Sequence, residues 1–541
     1  MTTRSSTEVP SHLRRYASGG YWEDLTLADW ARRRAAQSPD DVVYLGDSST
    51  PTFASLLADG EALARSLLDL GLRSGEVISF QTPNWVEASV INLAASLGGF
   101  VINPIVHIYR DAEVRQMLAD CGARVLFVAE RYRSFDYGAM LDRIRPDLPA
   151  LEHVIFVRPE RRAPSYGDLV DNGRRLTRPL PDSRPDDVKL LLYTSGTTGR
   201  PKAVLHSHNT LARVMHFTAA HVALPGQDIV LMPSPVTHIT GYAGALEKPF
   251  VLDARVVLME HWDAQLAVEL IDRHGVTSTI AATPFLSELC STAQAAGRRL
   301  PSFRDFACGG AAVPPEAVRA ANTSLAHPCA YRIYGSSEVP QTTQGYRPDR
   351  DPERAATTDG HALDYELRIV DDQDRDLPPG GEGEILVRGP AMFLGYRDPE
   401  QTAAAITGDG YFRSGDIGVL ATDGALLITG RKKDLIIRGG ENISAKEIED
   451  VLHAHPAVRE AAVVAMPHPR LGEGVCAYVI LVGPQDAASH MLADFVLQSG
   501  LARQKCPEHF EFVADLPRTA SGKVRKDLLR EEIGRNVHSE S

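Results

Sequence analysis

The sequence predicts a multidomain α/β protein. A large N-terminal domain, residues 1–432, is expected to hold two helix-covered, mainly parallel sheets and a β-barrel-like section; a small α+β domain, residues 433–541, is expected to follow. Three observations predict this. Short apolar strand-like runs alternate with helical patterns from Phe53 to Ala129, and again from Ile229 past Pro284. From Gly360 to Gly430 the texture changes to short strands cut by Gly, Pro and Asp turns, as in ELRIVDDQD, GEGEILVRG and GALLITG. The basic cluster Arg431-Lys432-Lys433-Asp434 then introduces a smaller mixed segment. A chain of 541 residues exceeds a single core and calls for several domains.

Each element has a local reason. Residues 26–37 (TLADWARRRAAQ) are helical in pattern and stop at Ser38-Pro39. A helix from Phe53 to Gly71, a strand over 77–81, a helix over 85–97 and a strand over 100–103 follow. A helix from Asp111 then leads to a strand over 124–129. The Pro-, Arg- and Asp-rich stretch from Pro159 to Asp187 reads as a surface connection. The apolar run Val188 to Tyr193 reads as a buried strand, and a helix is expected from about Ser207, with Ser207 or Asn209 as N-cap. Strands at 229–232, 255–259 and 278–281, with helices over 263–274 and from Pro284, form the second layer.

Composition narrows the function. Apolar content of 43% and charged content of 23% fit an ordinary soluble protein. A net charge of −13 argues against a nucleic-acid backbone as main partner. Six Cys without a CxxC pair read as reduced thiols of a cytoplasmic protein. No secretory signal and no apolar run of membrane-spanning length is present.

Between the buried strand and the expected helix lies Tyr193 to Lys202, YTSGTTGRPK. Hydroxyls, small residues with open N–H groups and a cation suit a polyphosphate. The stretch reads as a strand–loop–helix cradle, though not as a Walker loop, because Pro201 stands where that motif needs its second Gly. Five further islands follow: PSPVTHITG (233–241), CGGAA (308–312), YGSSE (334–338), YFRSGD (411–416) with GRKKD (430–434), and LPRTASGK (516–523).

These islands, in this order and spacing, resemble the adenylate-forming superfamily of acyl-CoA synthetases, luciferases and peptide-synthetase adenylation domains. The likeness covers nearly the whole chain. It is nearest in look to short- and medium-chain acyl-CoA synthetases and cyclohexanecarboxylate–CoA ligases. The resemblance implies an ATP-, Mg²⁺- and coenzyme A-dependent ligase. A carboxylate attacks the α-phosphate of ATP to give an acyl-adenylate and pyrophosphate; a thiol then takes the acyl group and expels AMP.

Carried over residue by residue, the resemblance assigns Thr194, Ser195, Gly196, Thr197, Thr198, Gly199 and Lys202 to the β- and γ-phosphates. Ala203 replaces the Gly often found after that Lys. Tyr334 would lie against adenine, with Gly310, Ala311 and Ala312 on the other side and Gly335 and Ser336 beside them. Ser337, where the family has Thr, would meet the α-phosphate, and Glu338 would hold Mg²⁺. Asp416 would accept both ribose hydroxyls and Arg431 would contact the ribose and phosphate region. His238 would shape the carboxylate end of the acyl pocket; a helix-capping role is its structural alternative. Lys523 would bridge carboxylate and α-phosphate, Lys433 would be the hinge, and Gly439 and Gly440 would line the pantetheine channel.

The acyl pocket is expected from Val236, Thr237, Ile239, Gly241, Gly309 and Val339, with no Asp to bind an α-ammonium. That suits a medium-chain aliphatic, alicyclic or small aromatic acid. Glu247-Lys248 interrupts an apolar helix, either as its surface end or as a polar contact deep in the pocket. Two alternatives stand beside the acyl-CoA synthetase: an acyl-AMP ligase that loads a carrier-protein phosphopantetheine, and a non-catalytic nucleotide-binding relative. A monomer or homodimer is expected.

Overall fold

The computed structural model describes residues 9–46, 50–194, 201–221, 227–483, 488–519 and 522–540. The first sheet is built on β1 (Val77–Gln81), β2 (Val101–Pro104), β3 (Val125–Ala129), β4 (His153–Val157) and β5 (Val188–Thr194), all parallel, in the order β5-β2-β1-β3-β4. Every residue of β1, β2 and β3 is buried, as strands covered by helices on both faces must be. Beyond β5 the sheet continues antiparallel through β6 (Lys202–Ser207) and the short strand Gly395–Tyr396. The second sheet is wholly parallel: β7 (Ile229–Met232), β8 (Arg255–Leu258), β9 (Ser278–Ala281), β10 (Asp305–Cys308) and β11 (Ala330–Arg332), in the order β8-β7-β9-β10-β11.

The Gly-rich section forms an antiparallel sheet of β12 (Glu366–Val370), β13 (Glu382–Arg388), β14 (Phe412–Leu420) and β15 (Leu426–Arg431). Among the described residues its strands form an open sheet, not a closed barrel. A 3₁₀ turn at Lys432–Asp434 leads to β16 (Leu435–Arg438), β17 (Glu441–Ser444), β18 (Val458–His468), β19 (Gly472–Leu481) and β20 (His509–Phe512). This last sheet carries its own cores. Ile448, Leu452, Leu492 and Val496 of the helices Ala445–His453 and Ala488–Gln498 pack one group of its residues, and Leu529 and Ile533 of Lys526–Glu540 pack another.

Helix starts follow their capping chemistry. Thr26 and Asp29 form a reciprocal capping box at the head of Leu27–Gln37. Ser207 caps the helix His208–His221 through Thr210 N–H at 3.2 Å, whereas Asn209 lies inside that helix and bonds Asp24 and Asp186. Two expectations need correction. The cradle does not lead straight into a helix: β6 pairs antiparallel with β5 and with Gly395–Tyr396 before the helix begins. The connection 159–187 contains the helix Tyr166–Gly173, capped by Ser165 and packed against Phe53–Asp69.

Glu247 is neither a helix end at the surface nor a wall of the pocket. It is buried at the end of a π-helical turn, Tyr242–Glu247, and pairs with the fully buried Lys189 of β5. Asn92 Nδ2 donates to Glu247 at 2.9 Å, Lys189 Nζ donates to the Tyr242 hydroxyl at 2.9 Å, and that hydroxyl donates to Asn92 at 2.6 Å. Burial pushes the Lys189 pKa down, and Glu247 opposes that shift. Removing one partner of such a pair leaves a buried charge unpaired. Glu247→Ala is therefore expected to destabilise the protein by about 3–5 kcal/mol. A denaturant midpoint measures this, and the preference among acids should stay as it is.

Candidate active site

The second sheet, the π-helical turn and the loops around Glu338 enclose a cavity of about 1280 Å³. That exceeds the roughly 300–1,000 Å³ usual for one small ligand and leaves room for a nucleotide and an acid together. On the nucleotide side, Thr194 and Lys202 face each other across the β5–β6 ladder and both line the cavity. Ser195, Gly196, Thr197, Thr198 and Gly199 lie outside the described residues. Lys202 Nζ sits 4.9 Å from the centre of the Tyr396 ring. The Tyr396 hydroxyl donates to Glu338 Oε1 at 2.8 Å, and burial with the nearby Glu338 charge raises its pKa. Ser337 and Glu338 both line the cavity, and the Ser337 carbonyl is held by His206 Nε2 at 2.7 Å.

Asp416 and Arg431 are register partners on β14 and β15, and Arg431 Nε donates to Asp416 Oδ1. The Tyr334 hydroxyl donates to Asp416 Oδ2 at 2.7 Å. Both Asp416 oxygens are thus engaged, each keeping a further lone pair for a hydroxyl donor. Tyr334 is buried behind the wall rather than lining it, drawn there by Asp416 and by its N–H bond to Thr343 Oγ1. Gly310, Gly335 and Ser336 line the cavity, but Ala311 and Ala312 do not. Ala311 packs on the core of the second sheet, and the Ala312 carbonyl accepts from Thr283 Oγ1 at 2.7 Å.

Lys523 reaches this cavity from the small domain. Its loop turns at Gly522, which has φ +86°; a Cβ there would stand 3.7 Å from Ala282 and Phe285. Burial lowers the Lys523 pKa to about 8, Arg431 and Lys433 push it the same way, and Asp416 and Glu338 oppose them. His238 lines the same space, and its Nδ1 accepts from Thr240 N–H at 3.4 Å, so it is also the cap of its short helix. Burial, with the Lys523 charge, drives its pKa down to about 3. The imidazole is therefore neutral, and with Nδ1 accepting, its proton sits on Nε2. Lys433 also lines the cavity, whereas Gly439 and Gly440 form the exposed β16–β17 turn with φ +60° and +90°, away from its walls.

Of the expected acyl-pocket residues, Thr237, Ile239 and Gly309 line the cavity. Val236, Gly241 and Val339 do not. Val236 is fully buried, with its N–H donating to Asn84 at 2.8 Å. A Cβ on Gly241 would meet the Pro235 carbonyl at 2.1 Å, so Gly241 is packed against its own loop. Val339 belongs to the large core. Sequence reasoning missed Tyr396 and the aspartates of a polar floor at Asp228, Lys248 and Asp305; Lys248 itself lines the cavity, as the pocket reading of Glu247-Lys248 allowed. Tyr396 sits on a strand of two residues with no motif of its own.

No group of three His, Cys, Asp or Glu side chains able to hold a metal occurs among the described residues. Among the described residues only Tyr396 donates to the Glu338 carboxylate, at Oε1, which leaves Oε2 for Mg²⁺, an ion that takes most of its ligands from phosphate and water. When bound, that ion would neutralise phosphate charge.

A cavity lined by Lys523, Glu338 and a neutral His238, with Thr194 and Lys202 on its nucleotide side, is the arrangement expected of an ATP-dependent, AMP-forming acid–thiol ligase. The comparisons agree with that class. The AMP-binding enzyme family matches residues 31–397, and the AMP-binding enzyme C-terminal domain matches residues 447–523. The chain is 35% identical to the medium-chain fatty-acid–CoA ligase of Escherichia coli (strain K12), over 96% of this chain and 93% of that one. It is 31% identical to the 2,3-dihydroxybenzoate-AMP ligase of Bacillus subtilis (strain 168), over 96% of each. ATP-bound MatB from Rhodopseudomonas palustris superposes with a TM-score of 0.82 at 28% identity, covering 94% of this chain and 99% of that one. The chain belongs to the AMP-binding enzyme family, whose CoA ligases use ATP, Mg²⁺ and coenzyme A.

Proposed function

We propose that the protein is an acyl-CoA synthetase that activates a medium-chain aliphatic, alicyclic or small aromatic acid. The observation that carries this is the meeting of Lys523 and His238 at the junction between the nucleotide side and the apolar side of one cavity. The acid lies along the second sheet with its carboxylate at that junction. The Lys523 ammonium draws the carboxylate and the α-phosphate together and offsets the charge that builds between them. A carboxylate oxygen bonds the α-phosphorus, the bond to the bridging oxygen breaks, and pyrophosphate leaves past Thr194 and Lys202. Asp416 and Arg431 fix the ribose, and Glu338 would hold the cation.

For the second half, a rotation at Lys433 would withdraw Lys523 and bring the Gly439-Gly440 turn to the thiol channel, with the domain boundary at 432/433. The thiol sulfur bonds the acyl carbon, AMP leaves and the thiol proton is released. The present arrangement, with Lys523 in the cavity and the glycine turn outside it, is the one the first half needs. Coenzyme A is the acceptor we favour over a carrier protein, from the likeness to the medium-chain ligase. A cytoplasmic setting is supported by six free cysteines, and no helix among the described residues is long and apolar enough to cross a membrane.

The test is pyrophosphate release across acids of graded length and ring content, with coenzyme A or a phosphopantetheinyl carrier as acceptor. Thioester formed with coenzyme A supports the proposal; thioester formed only on the carrier replaces it with the acyl-AMP ligase.

A further inference from the structure

The acyl side of the cavity does not end in apolar residues. Side chains alternate across a strand, and Ser278, Ile280 and Ala282 share one face of the second sheet with Asp305, Ala307 and Gly309, all of them lining the cavity. Ser278 and Asp305 are register partners, and two residues on, Ile280 and Ala307 are partners. Two further on come Ala282 and Gly309, which line the reacting end. The channel is thus small-walled at the top, apolar in the middle and polar at the floor. Four residues of strand separate Gly309 from Asp305, about 13 Å.

The floor is a built cluster of mixed charge. Lys248 Nζ donates to Asp228 Oδ2 at 2.6 Å, and Asp228 Oδ1 accepts from Thr277 and Ser278 hydroxyls, both at 2.7 Å. Asp228 is therefore fully satisfied. Asp305 Oδ1 accepts from the Tyr331 hydroxyl at 2.9 Å, and among the described residues no group donates to its Oδ2. Asp228, Lys248, Asp305 and Tyr331 all line the cavity whose other end holds Lys523.

We propose that the acid activated here carries a hydrogen-bond-donating group, a hydroxyl or an amine, at the far end of its chain, and that Asp305 receives it beside the Asp228–Lys248 pair. This rests on the ligase reading above and names its substrate class. A span of about 13 Å corresponds to a saturated chain of roughly ten carbons. Charge decides the type of group. The Lys248 ammonium is already bonded to Asp228, so the group left open to the space is the acceptor Asp305 Oδ2, and a distal carboxylate would set a second acceptor against it. Burial raises the Asp305 pKa to about 7, the Tyr331 bond, Lys248 and Arg347 lower it, and Asp228 raises it. A donor on Oδ2 completes its hydrogen bonding, whereas a bare methyl terminus leaves the floor unmatched.

The experiment compares kcat/KM for pyrophosphate release with decanoate, 10-hydroxydecanoate, 10-aminodecanoate and decanedioate. The hydroxy or amino acid should exceed decanoate by at least about tenfold, since a site built to bond a substrate hydroxyl discriminates strongly against its absence. Decanedioate should be the poorest. Asp305→Leu should lower the hydroxy-to-decanoate ratio by at least tenfold, and Asp305→Asn, which keeps the shape, should lower it less. A wild-type ratio near one, or a ratio unmoved in both variants, overturns the proposal. Release with decanoate but no gain from the distal group sinks this inference alone, whereas no release with any acid sinks the ligase reading itself.

Discussion

Lys523→Ala should lower acid-dependent pyrophosphate release by about 10²–10³ and largely spare thioester formation from supplied acyl-adenylate. The side chain stands in the cavity with Glu338, Asp416, Arg431 and His238 close enough to shift its charge equilibrium or be shifted by it. Only the first half-reaction develops charge between carboxylate and phosphate at that point. The same geometry gives a pH dependence. With its pKa lowered to about 8 by burial first and by Arg431 next, Lys523 loses its proton as pH rises through 8. The charged form carries the reaction, so kcat/KM for adenylation should fall above about pH 8, approaching tenfold per unit, while thioester formation from supplied adenylate should not follow it. Stopped-flow or quench measurements of the separate halves check both. Equal loss in the two halves would contradict the role given to this residue.

Glu338→Gln is expected to have the next largest effect. The glutamine keeps the size of the side chain and leaves a neutral oxygen or amide facing Tyr396, which now donates to Glu338 at 2.8 Å. What is lost is the charge beside the phosphate space. The Mg²⁺ concentration giving half the maximal rate should rise at least tenfold to about a hundredfold, with a lower rate at saturation. Titrating Mg²⁺ at fixed ATP and acid shows this; an unchanged Mg²⁺ requirement would move the cation elsewhere.

The parts of this account that were legible in the sequence share a physical character. Helix ends at Thr26 and Asp263 are written in capping residues, and buried strands such as Val125–Ala129 are written in continuous apolar runs. Lys523, Glu338, Asp416, Arg431 and His238 sit in motifs whose order and spacing were recognisable. The structure brings Lys523, Glu338, His238 and Arg431 to one cavity, with Asp416 bonded at its edge.

What escaped the sequence depends on contacts between distant strands. Tyr396 reaches Glu338 only because β6 turns back and pairs with Gly395–Tyr396, a pairing that two residues cannot announce. Glu247 read either as a surface break in an apolar helix or as a polar contact in the pocket, but its partner Lys189 comes from β5, 58 residues earlier. Val236 and Val339 were apolar and near the motif, yet small apolar residues fill cores as readily as pockets. The floor at Asp228 and Asp305 had a faint signal, a polar residue at the start of each strand. It becomes a site only once the parallel register sets those strand starts side by side.

The central claim, that this cavity makes an acyl-adenylate before any thiol is needed, is tested most directly by ATP–pyrophosphate exchange without coenzyme A. The account predicts exchange that requires ATP, Mg²⁺ and a medium-chain acid and nothing more. Exchange that appears only when coenzyme A is added, or nucleotide binding with no exchange for any acid in a broad panel, would contradict it.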